Sequence, residues 1–99
     1  MNLEKYGPSY IETQDGWNAI LKTFYSILEG HPIPEDFKIL QIKEKFGTLR
    51  IYAINSNDCI DTLIHFAEAM SEHTCEVCGG LGKQVVKRGW VRTRCALHE

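Results

Sequence analysis

The chain has 99 residues, of which 43% are hydrophobic and 24% are charged, and its formal net charge is −2. This length and composition are those of one globular domain. No segment reaches the roughly 18 consecutive apolar residues of a membrane span, and no basic-then-apolar leader follows Met1. We therefore expect no membrane partner and a cytoplasmic location, where four cysteines are more often metal ligands than disulfides.

Charge is unevenly distributed along the chain. Residues 1–72 carry six Lys/Arg and eleven Asp/Glu, whereas residues 73–99 carry five Lys/Arg and two Asp/Glu. A mildly basic tail thus follows an acidic body. This imbalance is too small to identify a nucleic-acid-binding protein by itself.

The first helix is predicted after an N-terminal arm, residues 1–14, that shows no hydrophobic period. Asp15 or Thr13 is the expected N-cap, and Gly30 followed by Pro32 ends the helix. Apolar residues recur at the three- and four-residue intervals of one amphipathic face. They are Trp17, Ile20, Leu21, Phe24, Ile27 and Leu28.

A β-hairpin follows, because apolar and polar residues alternate on both sides of a Phe46-Gly47 turn. The alternating apolar residues are Leu40 and Ile42, then Leu49, Ile51 and Ala53. A two-residue turn places Ile42 opposite Ile51 and Lys43 opposite Arg50, and the second pair sets like charges against each other. A bulged turn at the glycine would shift this register.

The second helix begins at an N-cap that is either Asn57 or Asp58, and Asp61 lies favourably near its positive end. Its apolar stripe consists of Ile60, Leu63, Ile64, Ala67 and Met70. Beyond it, the sequence predicts two short β segments, Gln84–Lys87 and Trp90–Arg94, joined by a turn at Arg88-Gly89.

Metal-ligand spacing is the strongest chemical signal in the sequence. Cys75 and Cys78 form a C-x2-C pair, and after sixteen intervening residues Cys95 and His98 form a C-x2-H pair. Two such pairs, joined by a hairpin, supply the four ligands of a closed tetrahedral Cys3His site, which is typical of structural zinc. A redox C-x-x-C is the alternative, but no βαβ pattern surrounds it.

His73 is the only plausible substitute ligand, and Cys59 is expected to be a small, partly buried apolar residue.

The sequence therefore predicts an α+β fold in the order helix, β-hairpin, helix and zinc-ribbon-like C-terminal hairpin. Residues 15–72 form the predicted body. Residues 73–99 form the C-terminal hairpin, which is part of the same compact domain.

Catalytic signatures are missing from the chain. Zinc deaminases need a His-x-Glu and metalloproteases need an H-E-x-x-H, and neither occurs. There is also no Gly-rich phosphate loop and no credible triad. We therefore predict that the protein is not an enzyme.

Two groups of cations with aromatic residues are candidates for contact with a partner. The first hairpin offers Lys43, Lys45, Arg50 and Tyr52, and the C-terminal hairpin offers Arg88 and Trp90. Cations of this kind bind phosphates, and aromatic rings stack on bases or anchor protein interfaces. The alternative is that both aromatic residues pack inward and the charges are merely solvated.

These motifs in this order resemble a group of small phage and prophage proteins that share a K-F-G-x-L-R-[FI]-Y segment and a C-terminal Cys/His zinc motif. The resemblance covers roughly residues 15–98. The residues that carry it are Lys45-Phe46-Gly47-Thr48-Leu49-Arg50-Ile51-Tyr52, then Ser71, Thr74, Cys75, Cys78 and Gly79, then Trp90, Thr93, Cys95 and His98. This chain departs from the pattern by placing Arg94, instead of an apolar residue, before Cys95.

The resemblance implies a phage origin, action in the host cytoplasm and a zinc site, but no settled biochemical role. The interpretation we adopt is a zinc-binding adaptor or inhibitor that binds a host macromolecule, with a host protein such as a defence component as the predicted partner. A nucleic-acid-binding zinc ribbon is the second hypothesis. A sponge that captures an anionic nucleotide signal at Lys43 and Arg50 is the third.

Overall fold

The computed structural model describes all 99 residues and has the predicted α+β fold. No helix in it is both long and apolar enough to cross a bilayer. The elements in chain order are helix α1 (Leu3–Tyr6), a 3-10 turn (Asp15–Trp17), helix α2 (Asn18–Glu29), strands β1 (Lys38–Lys45) and β2 (Thr48–Ile54), helix α3 (Asp58–Ser71), and strands β3 (Lys83–Lys87) and β4 (Trp90–Arg94).

The hydrophobic core lies between the first hairpin and the two long helices. Helix α3 packs on both β2 and α2. The core contains 14 buried residues, and all of them lie between Tyr6 and Ala67 in the sequence. The C-terminal hairpin, residues 73–99, contributes none of them. Its place in the fold must therefore be fixed by other interactions.

The start of α2 differs from the prediction. Neither Asp15 nor Thr13 caps it, because the helix begins at Asn18 directly after the 3-10 turn and has no side-chain cap. The Trp17 side chain at this junction is fully buried, and its indole Nε1 donates a 2.9 Å hydrogen bond to the Thr74 carbonyl. The helix therefore begins where the Trp17 ring is anchored to the segment that precedes Cys75, and not at a polar cap.

The first hairpin has a two-residue turn. Phe46 and Gly47 both have positive φ, 53° and 79°, as a type I′ turn requires. The pairs Ile42–Ile51 and Lys43–Arg50 are therefore opposite each other, as predicted.

A bulge interrupts β1 between Ile39 and Gln41. It turns Leu40, which strict alternation places on the buried face, outward to 56% exposure, while Ile39 is 2% exposed. Strict alternation was therefore wrong at Leu40, because one extra residue at a bulge reverses the face of everything beyond it.

Both outer edges of the first hairpin are covered. The Leu49 N–H on β2 donates a 2.9 Å bond to Ser71 Oγ of α3. On the β1 side, the Glu12 N–H donates a 2.9 Å bond to the Ile42 carbonyl, which lays the arm along the strand. Covered edges do not offer free backbone groups to other strands.

The arm is also attached near its beginning. Tyr6 is buried against Phe37 in the core, and the Tyr25 hydroxyl donates a 2.6 Å bond to the Gly7 carbonyl. Burial raises the pKa of Tyr25 above its ordinary value, so the phenol stays protonated and remains a donor. At the other helix, Asn57 is the N-cap of α3 and accepts a 2.8 Å bond from the Ile60 N–H.

Candidate metal centre

The four predicted ligands come together in one cluster. Their ligand atoms all lie within 4.8 Å of one another. Cys78 Sγ is 3.7 Å from Cys95 Sγ, and Cys75 Sγ is 3.8 Å from His98 Nδ1. Tetrahedral zinc with Zn–S bonds of about 2.3 Å separates neighbouring sulfurs by about 3.8 Å. The cluster thus fits a metal ion such as zinc, and it includes neither His73 nor Cys59.

Glycines shape the first ligand pair into a tight knuckle. The Gly79 N–H donates a 2.9 Å bond to the Cys75 carbonyl, and Gly79 itself has a φ of 81°. This left-handed conformation suits glycine because it lacks a Cβ. The next N–H, from Gly80, points at Cys78 Sγ at 3.4 Å. A backbone donor at that position stabilises a thiolate.

The strand pair β3–β4 carries the second ligand pair back to the first. Arg88 and Gly89 form the predicted turn, with φ angles of 53° and 81°. At the other end of the ladder Lys83 is paired with Arg94, immediately before Cys95. The His98 N–H then donates a 3.1 Å bond to the Cys95 carbonyl, which closes the second knuckle.

Electrostatics favour a thiolate at Cys75. Burial of this thiol opposes its ionisation, but hydrogen bonds from the backbone N–H groups of Cys95, Cys78 and Val77 outweigh burial and lower the pKa of Cys75 to about 6. At Cys78 the Gly80 N–H acts in the same direction, but the hydrogen bond with Cys95, burial and the proximity of Cys75 together raise its pKa. Thiols this close together cannot all lose their protons unless a cation offsets the negative charge. This behaviour is typical of the ligands of a metal site.

The knuckle lies directly on the 3-10 turn of the body. The Gly16 N–H donates a 2.7 Å bond to the Glu76 carbonyl. A Cβ at Gly16 would come within 2.1 Å of the Cys75 carbonyl oxygen, so only glycine permits this approach. With the bond from Trp17 to Thr74, two consecutive residues of the turn hold the metal segment.

A buried ion pair lies beside the ligands. Arg94 Nη1 is 3.3 Å from Glu76 Oε1, and the two side chains are only 9% and 7% exposed. The other Glu76 oxygen accepts a 3.4 Å bond from the Gln14 N–H. The buried position before Cys95 can thus hold Arg94, because the carboxylate of Glu76 neutralises its charge. Loss of either partner would strand a buried charge, which typically costs about 3–5 kcal/mol.

The turn of the first hairpin makes a second joint with the C-terminal hairpin. Thr93 Oγ1 donates a 2.7 Å bond to the Gly47 carbonyl. A Cβ at Gly47 would lie 2.9 Å from the Val91 carbonyl oxygen. The K-F-G segment and the Cys/His motif are therefore in direct contact, which spacing alone does not reveal. The sequence did not predict the roles of Gly16 and Glu76 or this joint, because each depends on contact with a residue far away in the chain.

The hairpin residues proposed for a partner share one sheet face. Lys43 is opposite Arg50, and Tyr52 is two pairs further along the ladder, opposite Gln41, and therefore on the same face. Lys45 is at the strand end and is exposed. The Tyr52 side chain is 41% exposed, so it does not pack into the core.

Arg88 and Trp90 are at the far tip of the C-terminal hairpin. The sequence left open whether Trp90 is available to a partner or packs inward. Inward packing is wrong, because Trp90 is 69% exposed. Together with Lys87 and Arg92 these two residues line a cavity of about 380 Å³ that contains no carboxylate. We refer to Lys87, Arg88, Trp90 and Arg92 as the tip.

Comparisons with protein-family models, with curated proteins and with solved structures find no match for this chain. The resemblance to phage proteins therefore stays a prediction. The established description is an α+β protein with a Cys3His cluster able to hold a metal ion such as zinc.

Proposed function

We propose that the protein is a non-enzymatic, zinc-stapled adaptor that binds an acidic surface of another protein through the tip. The proposal is carried by the exposure of Trp90 in a hollow whose other three lining residues are cations. On its other side, Trp90 also borders a hollow lined by Glu12, Glu44 and Glu76, so only the outer side of the tip is basic. Trp and Arg are the residues most enriched among the anchors of protein interfaces. If the resemblance to phage proteins holds, the partner is a host protein, with a component of host defence as the first class to test.

The ligand set supports a structural rather than a catalytic metal. Three sulfurs and one imidazole nitrogen would fill all four positions of a tetrahedral ion and leave none for a water molecule or a substrate. In this proposal, bound zinc supplies a rigid cross-link between the two ends of the hairpin. The residues of the chain then present the tip.

Magnitudes favour a protein partner over nucleic acid. Covering the exposed part of the Trp90 side chain contributes about 3 kcal/mol at about 25 cal/mol/Å². A stacked base gives a contribution of about 1–3 kcal/mol, so the number of cations, not the aromatic ring, separates the two partners. Three cations contacting three phosphates give a salt slope of only about −2.7, whereas tight DNA binders make roughly six to ten such contacts. The tip alone is therefore a better anchor for a protein than for a nucleic acid.

Nucleic-acid binding is the second candidate, and a specific observation favours it. One face of the first hairpin carries Lys43, Arg50 and the exposed Tyr52. Neither Lys43 nor Arg50 is in an ion pair. If this face and the tip acted together, the number of cations would approach that of a phosphate-tracking surface. The acidic remainder of residues 1–72 opposes it.

The test compares zinc-loaded wild-type protein with Trp90→Ala and Arg88→Glu as baits, with quantitative mass spectrometry of captured proteins from host lysate. Val86→Ala is the matched control, since Val86 is on the same hairpin, is 70% exposed and has the opposite orientation to Trp90 in the ladder. We expect the two tip variants to lose a partner at least tenfold and the control to keep it.

Three results decide between the candidates. Capture that depends on Trp90 and weakens little with added salt supports the protein adaptor. Uniform binding of DNA or RNA with a steep salt slope, reduced by Arg50→Glu, supports the nucleic-acid binder. Tip variants that keep their zinc and bind every partner as wild type does would overturn the proposal.

A further inference from the structure

The three cysteines of the Cys3His cluster differ in their exposure to solvent. Cys75 is 0% exposed, because the knuckle lies on the body at this position. Cys78 is exposed, and Cys95 is half-buried. The side of the cluster that faces solvent therefore carries two of its three sulfurs.

These two accessible sulfurs are also neighbours. Cys78 Sγ and Cys95 Sγ are 3.7 Å apart. A disulfide bond is about 2.05 Å long, so the two atoms need to approach by about 1.7 Å, a distance that rotations of the two side chains can cover. The pair joins the two knuckles and is not the C-x-x-C pair of Cys75 and Cys78 that the sequence offers as a redox motif.

Exposure, rather than ionisation, distinguishes the three thiols. All of them are thiolates when they bind a metal ion, so each is a nucleophile that an oxidant can attack. Only an exposed thiolate meets an oxidant that arrives from solvent. We propose that Cys78 and Cys95 are a modification site, at which hydrogen peroxide converts the two thiolates into a disulfide and the cluster loses its metal ion. The inference rests on the metal cluster and not on the partner of the tip.

The reaction balances with peroxide as the only oxidant. The Cys78 thiolate attacks one peroxide oxygen, the O–O bond breaks, hydroxide departs, and Cys78 becomes a sulfenic acid. The Cys95 thiolate then attacks the Cys78 sulfur, the S–O bond breaks, and a second hydroxide departs. The two sulfurs give up two electrons, and two protons from solvent convert both hydroxides into water. A dithiol reductant reverses the bond by thiol–disulfide exchange.

The disulfide replaces one cross-link of the C-terminal hairpin by another. It removes two of the four ligands, so the cluster no longer holds the ion. The new bond still joins the two ends of the hairpin, because Cys78 precedes β3 and Cys95 directly follows β4. We therefore expect oxidation to release the metal while β3 and β4 keep their hydrogen-exchange protection, in contrast to removal of the metal by EDTA.

Peptide mapping of the zinc-loaded full chain after treatment with hydrogen peroxide tests the inference. Cys59→Ser, compared with wild type, leaves only the three clustered thiols. Cleavage at glutamate, lysine and arginine places each of these cysteines in a peptide of its own, so mass spectrometry identifies the linked pair. We expect the peptides of Cys78 and Cys95 to be joined, Cys75 to remain open to alkylation, and about one zinc to be released per disulfide.

Two further measurements complete the test. A dithiol with added zinc should restore the zinc content. Hydrogen exchange across β3 and β4 should be slower by about tenfold or more in the oxidised protein than in reduced, EDTA-treated protein. Equal exchange in the two forms would contradict the cross-link.

Three mapping results overturn the inference. They are a major disulfide that contains Cys75, release of zinc without a disulfide, and three unmodified thiols at a peroxide concentration that oxidises free glutathione. None of these results changes what the reduced protein captures through the tip, so failure here is distinguishable from failure of the adaptor proposal.

Discussion

Two regions of this small protein are held together in different ways. Residues 1–72 contain the entire 14-residue core. Residues 73–99 leave their large apolar side chains in solvent, with Leu81, Val86 and Leu97 exposed by 87%, 70% and 91%. Two five-residue strands form at most a marginal hairpin in water by themselves. The first region is thus held by burial of apolar surface, whereas the second has almost no core of its own. The second region has instead a Cys3His cluster able to hold a metal ion, and polar joints at Gly16 and Gly47 connect the two regions.

Removing the metal should have the largest effect, and it should fall mainly on one region. Structural zinc contributes an apparent ~10–16 kcal/mol in zinc-finger peptides. We expect EDTA, Cys75→Ser or Cys95→Ser to abolish zinc binding and to remove hydrogen-exchange protection across residues 73–99, while α2, α3 and the first hairpin keep part of theirs.

Cys59→Ser is the control for this prediction, because exposed Cys59 lies outside the cluster, and it should keep about one zinc per chain. Uniform loss of protection along the whole chain would show instead that the two regions form one cooperative unit. An unchanged melting curve after complete removal of zinc would contradict the structural role of the metal.

A core truncation should act on the other region. Phe24 is 1% exposed, so Phe24→Ala should destabilise the body by about 3–5 kcal/mol through lost burial and the cavity left behind. Ile27→Ala, on the same helix but 40% exposed, should cost much less. Urea melts followed by circular dichroism measure both. Similar losses for the two variants would contradict the placement of the core.

The joint at Gly47 can be tested against a matched turn. Gly47 and Gly89 both hold the second position of a two-residue turn, with φ of 79° and 81°. A Cβ at Gly89 meets nothing within 4 Å, whereas one at Gly47 meets the Val91 and Arg92 backbone at 2.9–3.0 Å. Alanine at Gly89 should cost only backbone strain, about 1–2 kcal/mol. Alanine at Gly47 should cost distinctly more, and equal melting temperatures would argue against the contact.

The smallest expected effect is at the hydroxyl that completes this joint. Thr93→Val removes the bond to the Gly47 carbonyl with little change in shape, and should cost about 1–2 kcal/mol because a buried acceptor loses its donor. Thr23→Val, at an exposed position of α2, is the control and should be close to neutral. If Thr93→Val is equally neutral, the joint rests on packing of Gly47 alone.

Much of the fold follows from the sequence because it depends on neighbours in the chain. The apolar face of α2 from Ile20 to Leu28 is set by helical periodicity. The turns at Phe46-Gly47 and Arg88-Gly89 follow from glycine at a position of positive φ. The Cys3His set follows from two ligand pairs at a fixed spacing, since metal geometry limits how such pairs are arranged.

Only the tertiary structure decided how these parts are joined. Trp17 and Thr74 are 57 residues apart in sequence, and Gly47 and Thr93 are 46 apart, so no local pattern announces either contact. The bulge that exposes Leu40 is likewise invisible to an alternation rule that assumes an unbroken ladder. Burial of the Glu76–Arg94 pair and exposure of Trp90 depend on which surfaces the knuckle and β4 cover after folding. Propensity, periodicity and spacing act along the chain, whereas these choices arise from packing between segments distant in it.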